Sequence, residues 1–198
     1  TMTIEYTSPY GISSFEDFNK LNKAFVDKTE FINVIDKLDS PYPVLLRPRR
    51  FGKTTFVQML LCFYDISFKD KYDEIFKGTK ILEMNLPSHN SYHVIKFDFS
   101  GISGTNVESL ITNFNQKVSV GINDFLIRYP DFEFSNDYTG RDPANFIDEF
   151  FKTFARYSKS KSLYILIDEY DNFANDVLSN DRDLFKTITQ SNGFLKDF

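Results

Sequence analysis

Tryptophan is absent from the 198 residues, cysteine occurs once and histidine twice. A single thiol, Cys62, excludes an internal disulfide, and its place in an apolar stretch marks it as core rather than nucleophile. His89 and His93 have no Cys, His or Asp company at ligand spacing, which leaves a zinc centre without support. No signal-peptide pattern opens the chain, and no apolar run approaches the length of a membrane span. A reducing, cytoplasmic setting is the default expectation. Basic residues are outnumbered 23 to 28 by acidic ones, and the formal net charge of -5 argues against a domain-wide nucleic-acid footprint. Neither an internal repeat nor a low-complexity linker divides the chain, so one domain over residues 1–198 is the simplest organisation.

What is present in quantity is apolar and aromatic. The hydrophobic content of 41%, with 23 Phe and 11 Tyr, supplies ample core for a compact domain of this length. Nothing gathers the aromatic residues beside a basic run, as a base-stacking surface would require.

The one basic cluster is Arg47, Arg49, Arg50 and Lys53, within Leu45-Leu46-Arg47-Pro48-Arg49-Arg50-Phe51-Gly52-Lys53-Thr54-Thr55. The stretch reads as a strand entering a loop that opens a helix. A phosphate-binding loop has Gly, four residues, then Gly-Lys-Ser/Thr; here Gly52-Lys53-Thr54 keep the second half, and Arg47 replaces the first glycine. Gly52 lets a phosphate approach the backbone, Lys53 reaches the β and γ phosphates as a point charge, and Thr54 places a hydroxyl on Mg²⁺. Amides from Phe51 to Thr55 fall where a helix N-terminus offers unpaired N–H groups to an anion. Pro48 biases Arg47 towards an extended conformation that finishes the strand, and removes one donor from the loop. Arg49 and Arg50 bring charge to the triphosphate or face water. A strand, a basic turn and a buried helix would explain the same residues, so a second motif is needed.

Leu163-Tyr164-Ile165-Leu166-Ile167-Asp168-Glu169 supplies it. The continuous apolar run suggests a strand buried on both faces, as in a parallel sheet, with its acids at the carboxyl end. Ligands of open α/β sheets bind at that edge. Asp168 would there hold Mg²⁺ directly or through water, and Glu169 would orient or deprotonate an attacking water. Any buried strand must also end in something polar; the pairing with Gly52-Lys53-Thr54 upstream favours the nucleotide reading.

Other elements follow from capping and periodicity. Asp27 with Glu30 forms a capping-box pattern before the helical stripe Phe31, Val34, Ile35 and Leu38, which stops ahead of Pro41. Val44 to Arg47 is a strand, and Thr54 to Tyr64 a helix apolar on nearly every side. Tyr72, Ile75 and Phe76 mark a short helix ended by Gly78. In Tyr92 to Phe99, residues Ile95, Phe97 and Phe99 share one strand face, Lys96 and Asp98 the other. Asp98 reads as a solvated position, with a role near the γ-phosphate as its rival. Thr105 with Glu108 is a second capping-box pattern, leading a long helix with the stripe Val107, Leu110, Ile111, Phe114, Val118, Ile122, Phe125 and Leu126. Asp142-Pro143 opens another helix, with Phe146, Ile147, Phe150, Phe154 and Tyr157 on one face. Asp181 to Gln190 reads as a last helix. Strands separated by helical crossovers imply an α/β fold with a mostly parallel sheet.

With both motifs in hand, the chain resembles the AAA-ATPase-like family of P-loop proteins, whose variant Walker A loop reads Arg-Pro-Arg-Arg-Phe-Gly-Lys-Ser/Thr. Arg47 to Thr54 matches throughout, and Tyr10-Gly11-Ile12, Val26-Asp27-Lys28-Thr29 and Phe97-Asp98-Phe99-Ser100 resemble further family segments. The resemblance implies a P-loop NTPase of the ASCE type, a three-layer sandwich that hydrolyses ATP with Mg²⁺. It makes Asp168 the Walker B aspartate, Glu169 the catalytic glutamate, and Tyr10 and Ile12 neighbours of the adenine. The sensor strand of that class would follow Phe198, so the chain is expected to be the front part of a longer protein. Partners expected on the same ground are a nuclease-like domain or partner protein, and association through free strand edges. A nucleotide-gated interaction module with little hydrolysis is the alternative, and the pocket residues do not separate the two.

Overall fold

The computed structural model describes residues 27–38, 53–103, 106–158 and 162–170. The strand expected at Val44 to Arg47, the loop residues Arg49, Arg50, Phe51 and Gly52, the segment with Tyr10 and Ile12, and the helix expected from Asp181 to Gln190 lie outside them.

Helix α1, Glu30–Asp36, starts after Thr29 rather than at an Asp27 cap. Asp27 instead bridges two elements. Its Oδ1 accepts from the Thr29 N–H at 2.9 Å and the Thr29 hydroxyl at 2.6 Å, and its Oδ2 accepts from the Lys80 N–H at 2.8 Å. Glu30 does not reach back to a cap; it pairs with Lys80 at 2.8 Å. The stripe also differs from expectation. Ile32 and Ile35 are buried, whereas Phe31, Val34 and Leu38 are 46%, 54% and 47% exposed. Two turns of helix can press only one narrow face inward, and Ile32 with Ile35 defines it.

Helix α2, Lys53–Tyr64, buries every residue from Phe56 to Tyr64 except Gln58. Cys62 lies within that run, and burial pushes its thiol up to about 12, consistent with core rather than reactive chemistry. A 3₁₀ segment, Ile66–Lys71, follows, then the short helices α3, Tyr72–Ile75, and α4, Lys80–Met84. Gly78 between them takes a φ of +77°, the left-handed conformation a helix end favours. Neither the 3₁₀ turn nor α4 is announced by the sequence, because each is too short to show a period.

Strand β1, His93–Asp98, precedes helix α5, Val107–Arg128, helix α6, Pro143–Tyr157, and strand β2, Leu163–Asp168. The capping box of α5 stands one residue on from the Thr105 expectation: Asn106 accepts from the Ser109 N–H and Ser109 reaches back to Asn106. Asp142 caps α6 as expected, accepting from the Asn145 N–H at 3.1 Å, with Pro143 in the first turn.

The strands are parallel and pair His93 with Leu163, Ile95 with Ile165 and Asp98 with Asp168. Each sheet face carries its own core. Val94, Tyr164 and Leu166 pack with α1, α2, α3 and α4, while Ile95, Phe97, Leu163 and Ile167 pack with α5 and α6. The second core is largely aromatic; Phe150 meets Phe125 and Phe132 edge-on at centroid distances of 5.4 and 5.6 Å, the arrangement the ring quadrupole prefers. Strand β2 is less covered than its apolar run suggests, with Ile165 36% exposed. The reason is placement: α5 lies over β1, so Ile95 and Phe97 are enclosed and their β2 neighbours are covered on one side.

Alternation directs Val94, Lys96 and Asp98 main-chain groups away from β2, and at Val94 side chains occupy that outer edge. Val94 N–H donates to Asp65 Oδ2 at 3.2 Å, and Val94 O accepts from Arg128 Nη2 at 2.6 Å. Further along, α5 approaches so closely that a Cβ on Gly121 would lie 2.6 Å from Lys96 O and 2.6 Å from Phe97 Cδ1. At Val94 the outer edge of β1 is therefore occupied by side chains rather than open to a further strand.

Candidate functional site

The carboxyl end of the sheet is where the acids converge. Asp168 closes β2 and is only 2% exposed. Its Oδ1 accepts from the Glu169 N–H at 3.0 Å, and its main-chain O accepts from the Phe99 N–H at 3.1 Å. Asp98 stands opposite it in the ladder, half-buried, with Oδ1 accepting from the Ser100 N–H at 2.9 Å. Asp98 keeps partial access to solvent, and the register places it beside Asp168 at the carboxyl end of the sheet.

Glu169 departs from strand geometry with a φ of +57°. A β-carbon makes that conformation costly, roughly 1–2 kcal/mol, and such backbone strain gathers at functional positions. The turn sends the chain away from the sheet directly after the buried aspartate, leaving Glu169 half-buried.

Lys53 and Thr54 are the first two residues of α2, with half-buried Thr55 next. The other end of that helix is tied to the amino end of the strands. Asn90 N–H donates to Phe63 O at 2.7 Å, Tyr92 N–H donates to Tyr64 O at 3.1 Å, and the Tyr64 ring stacks on Tyr164 at 4.6 Å. A helix fastened there and laid along the sheet runs back towards the strands' carboxyl ends. Its 12 residues span about 18 Å at 1.5 Å each, and the 6 residues of each strand about 20 Å. Helix and strands are thus of nearly equal length.

Lys96 shares a strand face with Asp98. It is half-buried, and burial lowers its pKa against the opposing pull of Asp98, Asp168 and Asp124. Asp124, on α5, is itself raised by burial. A buried carboxylate with a second one across the ladder suits a hard, oxygen-seeking divalent cation. Mg²⁺ keeps most of its waters and takes one or two protein carboxylates plus substrate phosphates. Among the described residues no three His, Cys, Asp or Glu side chains converge, which such a site does not require.

At the amino end lies a cluster the sequence did not disclose. Asp65, fully buried, accepts from the Ser67 N–H at 2.7 Å, the Tyr129 hydroxyl at 2.5 Å, the Val94 N–H and Arg128 Nε. The Asn90 amide donates to Asp65 O at 2.7 Å and Cys62 O at 3.1 Å. The only signal is a lone acid inside the apolar run Leu60 to Ile66.

Helices on both faces of a small parallel sheet, with acids at its carboxyl end, are compatible with an α/β fold. Residues 9–198 match the family model AAA-ATPase-like, described as predicted AAA-ATPase, and the chain belongs to that family. No curated protein and no solved structure matches it. Among the described residues no helix is long and apolar enough to cross a membrane.

Proposed function

We propose that this chain binds Mg·ATP through a variant P-loop and forms the core of an ATPase that yields ADP and phosphate. What supports the reading is that α2, which Lys53-Thr54 open, is fastened at its far end to the amino end of the strands, while β2 ends in Asp168-Glu169 at the carboxyl edge. The fold is then a P-loop NTPase of the three-layer, additional-glutamate type, with residues 1–198 as one domain within it.

Each role follows from chemistry. Lys53 lays a point charge against the β and γ phosphates. Amides of Phe51, Gly52, Lys53, Thr54 and Thr55 donate to phosphate oxygens, and Arg49 and Arg50 add charge from the preceding turn. Tyr10 and Ile12 flank the adenine. The Thr54 hydroxyl and Asp168 would hold Mg²⁺, which would supply positive charge to the phosphates. Glu169, next to the metal-side aspartate in the chain, accepts the proton of the attacking water.

Phosphate release and nucleotide affinity, measured together, test this. Glu169→Gln should keep ATP affinity within about twofold while turnover falls on the order of a hundredfold or more, the range of a general-base contribution. Lys53→Ala should lose both. A wild-type chain that binds ATP without turnover would favour the nucleotide-gated module, and equal turnover in wild type and Glu169→Gln would remove the glutamate from the mechanism.

A further inference from the structure

We propose that residues 131–138 are a docking strand, whose unbonded main chain takes up an extended segment of a partner protein carrying lysine or arginine at alternate positions. The inference is independent of the nucleotide reading. It concerns the connection between α5 and α6, on which neither motif falls.

The segment is built like a strand that has no neighbour. From Phe132 to Tyr138 burial alternates: Phe132, Phe134, Asn136 and Tyr138 are buried or half-buried, and Glu133, Ser135 and Asp137 are exposed. A period of two is that of an extended chain. The covered side chains hold it in place. Phe132 packs against Phe125 and Tyr157 at centroid distances of 5.5 and 5.1 Å, Phe134 packs against Phe150 at 5.4 Å, and Asn136 Nδ2 donates to Ser119 O at 2.8 Å. Strands ordinarily find main-chain partners beside them. Here, among the described residues, neither the N–H groups from Glu133 to Tyr138 nor the C=O groups from Phe132 to Asn136 make a hydrogen bond. Such a row of donors and acceptors is a template for another strand. Because packing already keeps it extended, little ordering entropy is lost on its side when one pairs.

Charge selects the partner. Asp131, Glu133 and Asp137 are exposed at alternate positions of the segment. The basic residues on either side of it, Arg128 and Arg141, are paired with Asp65 and Glu149. In neighbouring strands, residues opposite each other on one face bring their Cβ atoms to about 4.5–5.5 Å. A second copy of this segment would set carboxylate against carboxylate, the means by which charges keep an open edge from pairing with itself. A strand with lysine or arginine at every second position instead sets a cation beside each acid, while its main chain supplies the missing donors and acceptors.

The test titrates the whole chain by calorimetry, without nucleotide, with the synthetic peptide Thr-Lys-Val-Lys-Val-Lys-Thr blocked at both ends. Its controls are the same peptide with glutamate in place of lysine, and two N-methylated forms, one blocked at the lysine amides and one at the valine amides. The lysine peptide should bind, and the glutamate peptide should bind about tenfold more weakly or not at all. A paired strand uses the amides of one flank only, so one methylated form should lose about tenfold in affinity and the other should match the parent. Glu133 is exposed, so Glu133→Lys should keep the Tm of the wild type while weakening the lysine peptide about tenfold and strengthening the glutamate peptide. Absence of lysine-peptide binding, equal behaviour of the two methylated forms, or indifference to Glu133→Lys overturns the proposal. The last two results would mean that the peptide adheres only to the net charge of -5.

Discussion

Arg128 and Asp65 form an ion pair, Nε to Oδ2 at 3.3 Å, in which the carboxylate is wholly enclosed and the guanidinium also donates to Val94 O. The pair does for the outer edge of β1 what a neighbouring strand would do, giving Val94 an acceptor for its N–H and a donor for its carbonyl. It also joins the C-terminal ends of α2 and α5 to that strand. Buried pairs contribute little net stability, but losing one partner is costly because the other charge remains.

Asp65→Ala should therefore lower unfolding stability by about 3–5 kcal/mol, since Arg128, Tyr129 and Val94 all lose their acceptor. Urea denaturation measures this. A cost below about 1 kcal/mol would mean that water replaces the carboxylate without penalty.

Gly121→Ala tests the close seating of α5. The added carbon has no space against Lys96 O and Phe97, so either the helix or the strand must shift. Helix propensity alone would stabilise the variant by up to about 1 kcal/mol; overpacking predicts a loss of about 1–3 kcal/mol instead. The sign of the change in Tm decides between them.

Asp27 links the start of α1 to the start of α4. Burial pushes its carboxyl up, but the Thr29 hydroxyl, the Lys80 and Thr29 N–H groups and the Lys80 charge outweigh it, holding the group below the ordinary 3.8. A depressed folded value means the stabilisation is present above that ordinary value and is lost as pH falls through the folded one. Asp27→Ala should cost about 1–2 kcal/mol at neutral pH, as for a lost helix cap. The difference from wild type should shrink in melts taken progressively below pH 3.8. A difference independent of pH would assign the effect to something other than the charge.

Glu169 gives a prediction about backbone rather than charge. Glu169→Gly and Glu169→Ala both remove the carboxylate, yet only glycine tolerates a φ of +57° without strain. The glycine variant should be the more stable by about 1 kcal/mol, reversing the usual order of the two residues. Equal Tm values would show that the turn relaxes.

Much of this architecture was legible. The periods of α5 and α6 are long enough to declare themselves, and Asp142-Pro143 caps α6 where the sequence places it. The parallel pairing follows from two apolar strands separated by two helices. Legibility failed where neighbours at a distance decide the outcome. Asp27 reads as a cap for its own helix, yet one of the three hydrogen bonds it accepts comes from Lys80, 53 residues away. Asp65 and Arg128 are 63 residues apart, and neither stands in a motif. Alternation gives the face of Asp98 but not its register partner, Asp168. The family was legible through the motifs around Lys53-Thr54 and Asp168-Glu169, because phosphate and metal chemistry restrict which residues serve, independently of packing.

The central claim is that the start of α2 and the end of β2 form one nucleotide site, and ligand-dependent melting tests it most directly. The Tm of the chain is measured alone, with Mg·ATP and with Mg·GTP, then repeated on Lys53→Ala and Asp168→Asn. At a hundred times its dissociation constant, ATP should add about 2.7 kcal/mol, raising the Tm of the wild type and leaving both variants unmoved. A folded wild-type chain whose Tm is unchanged by nucleotide, or one whose shift persists in both variants, would contradict it.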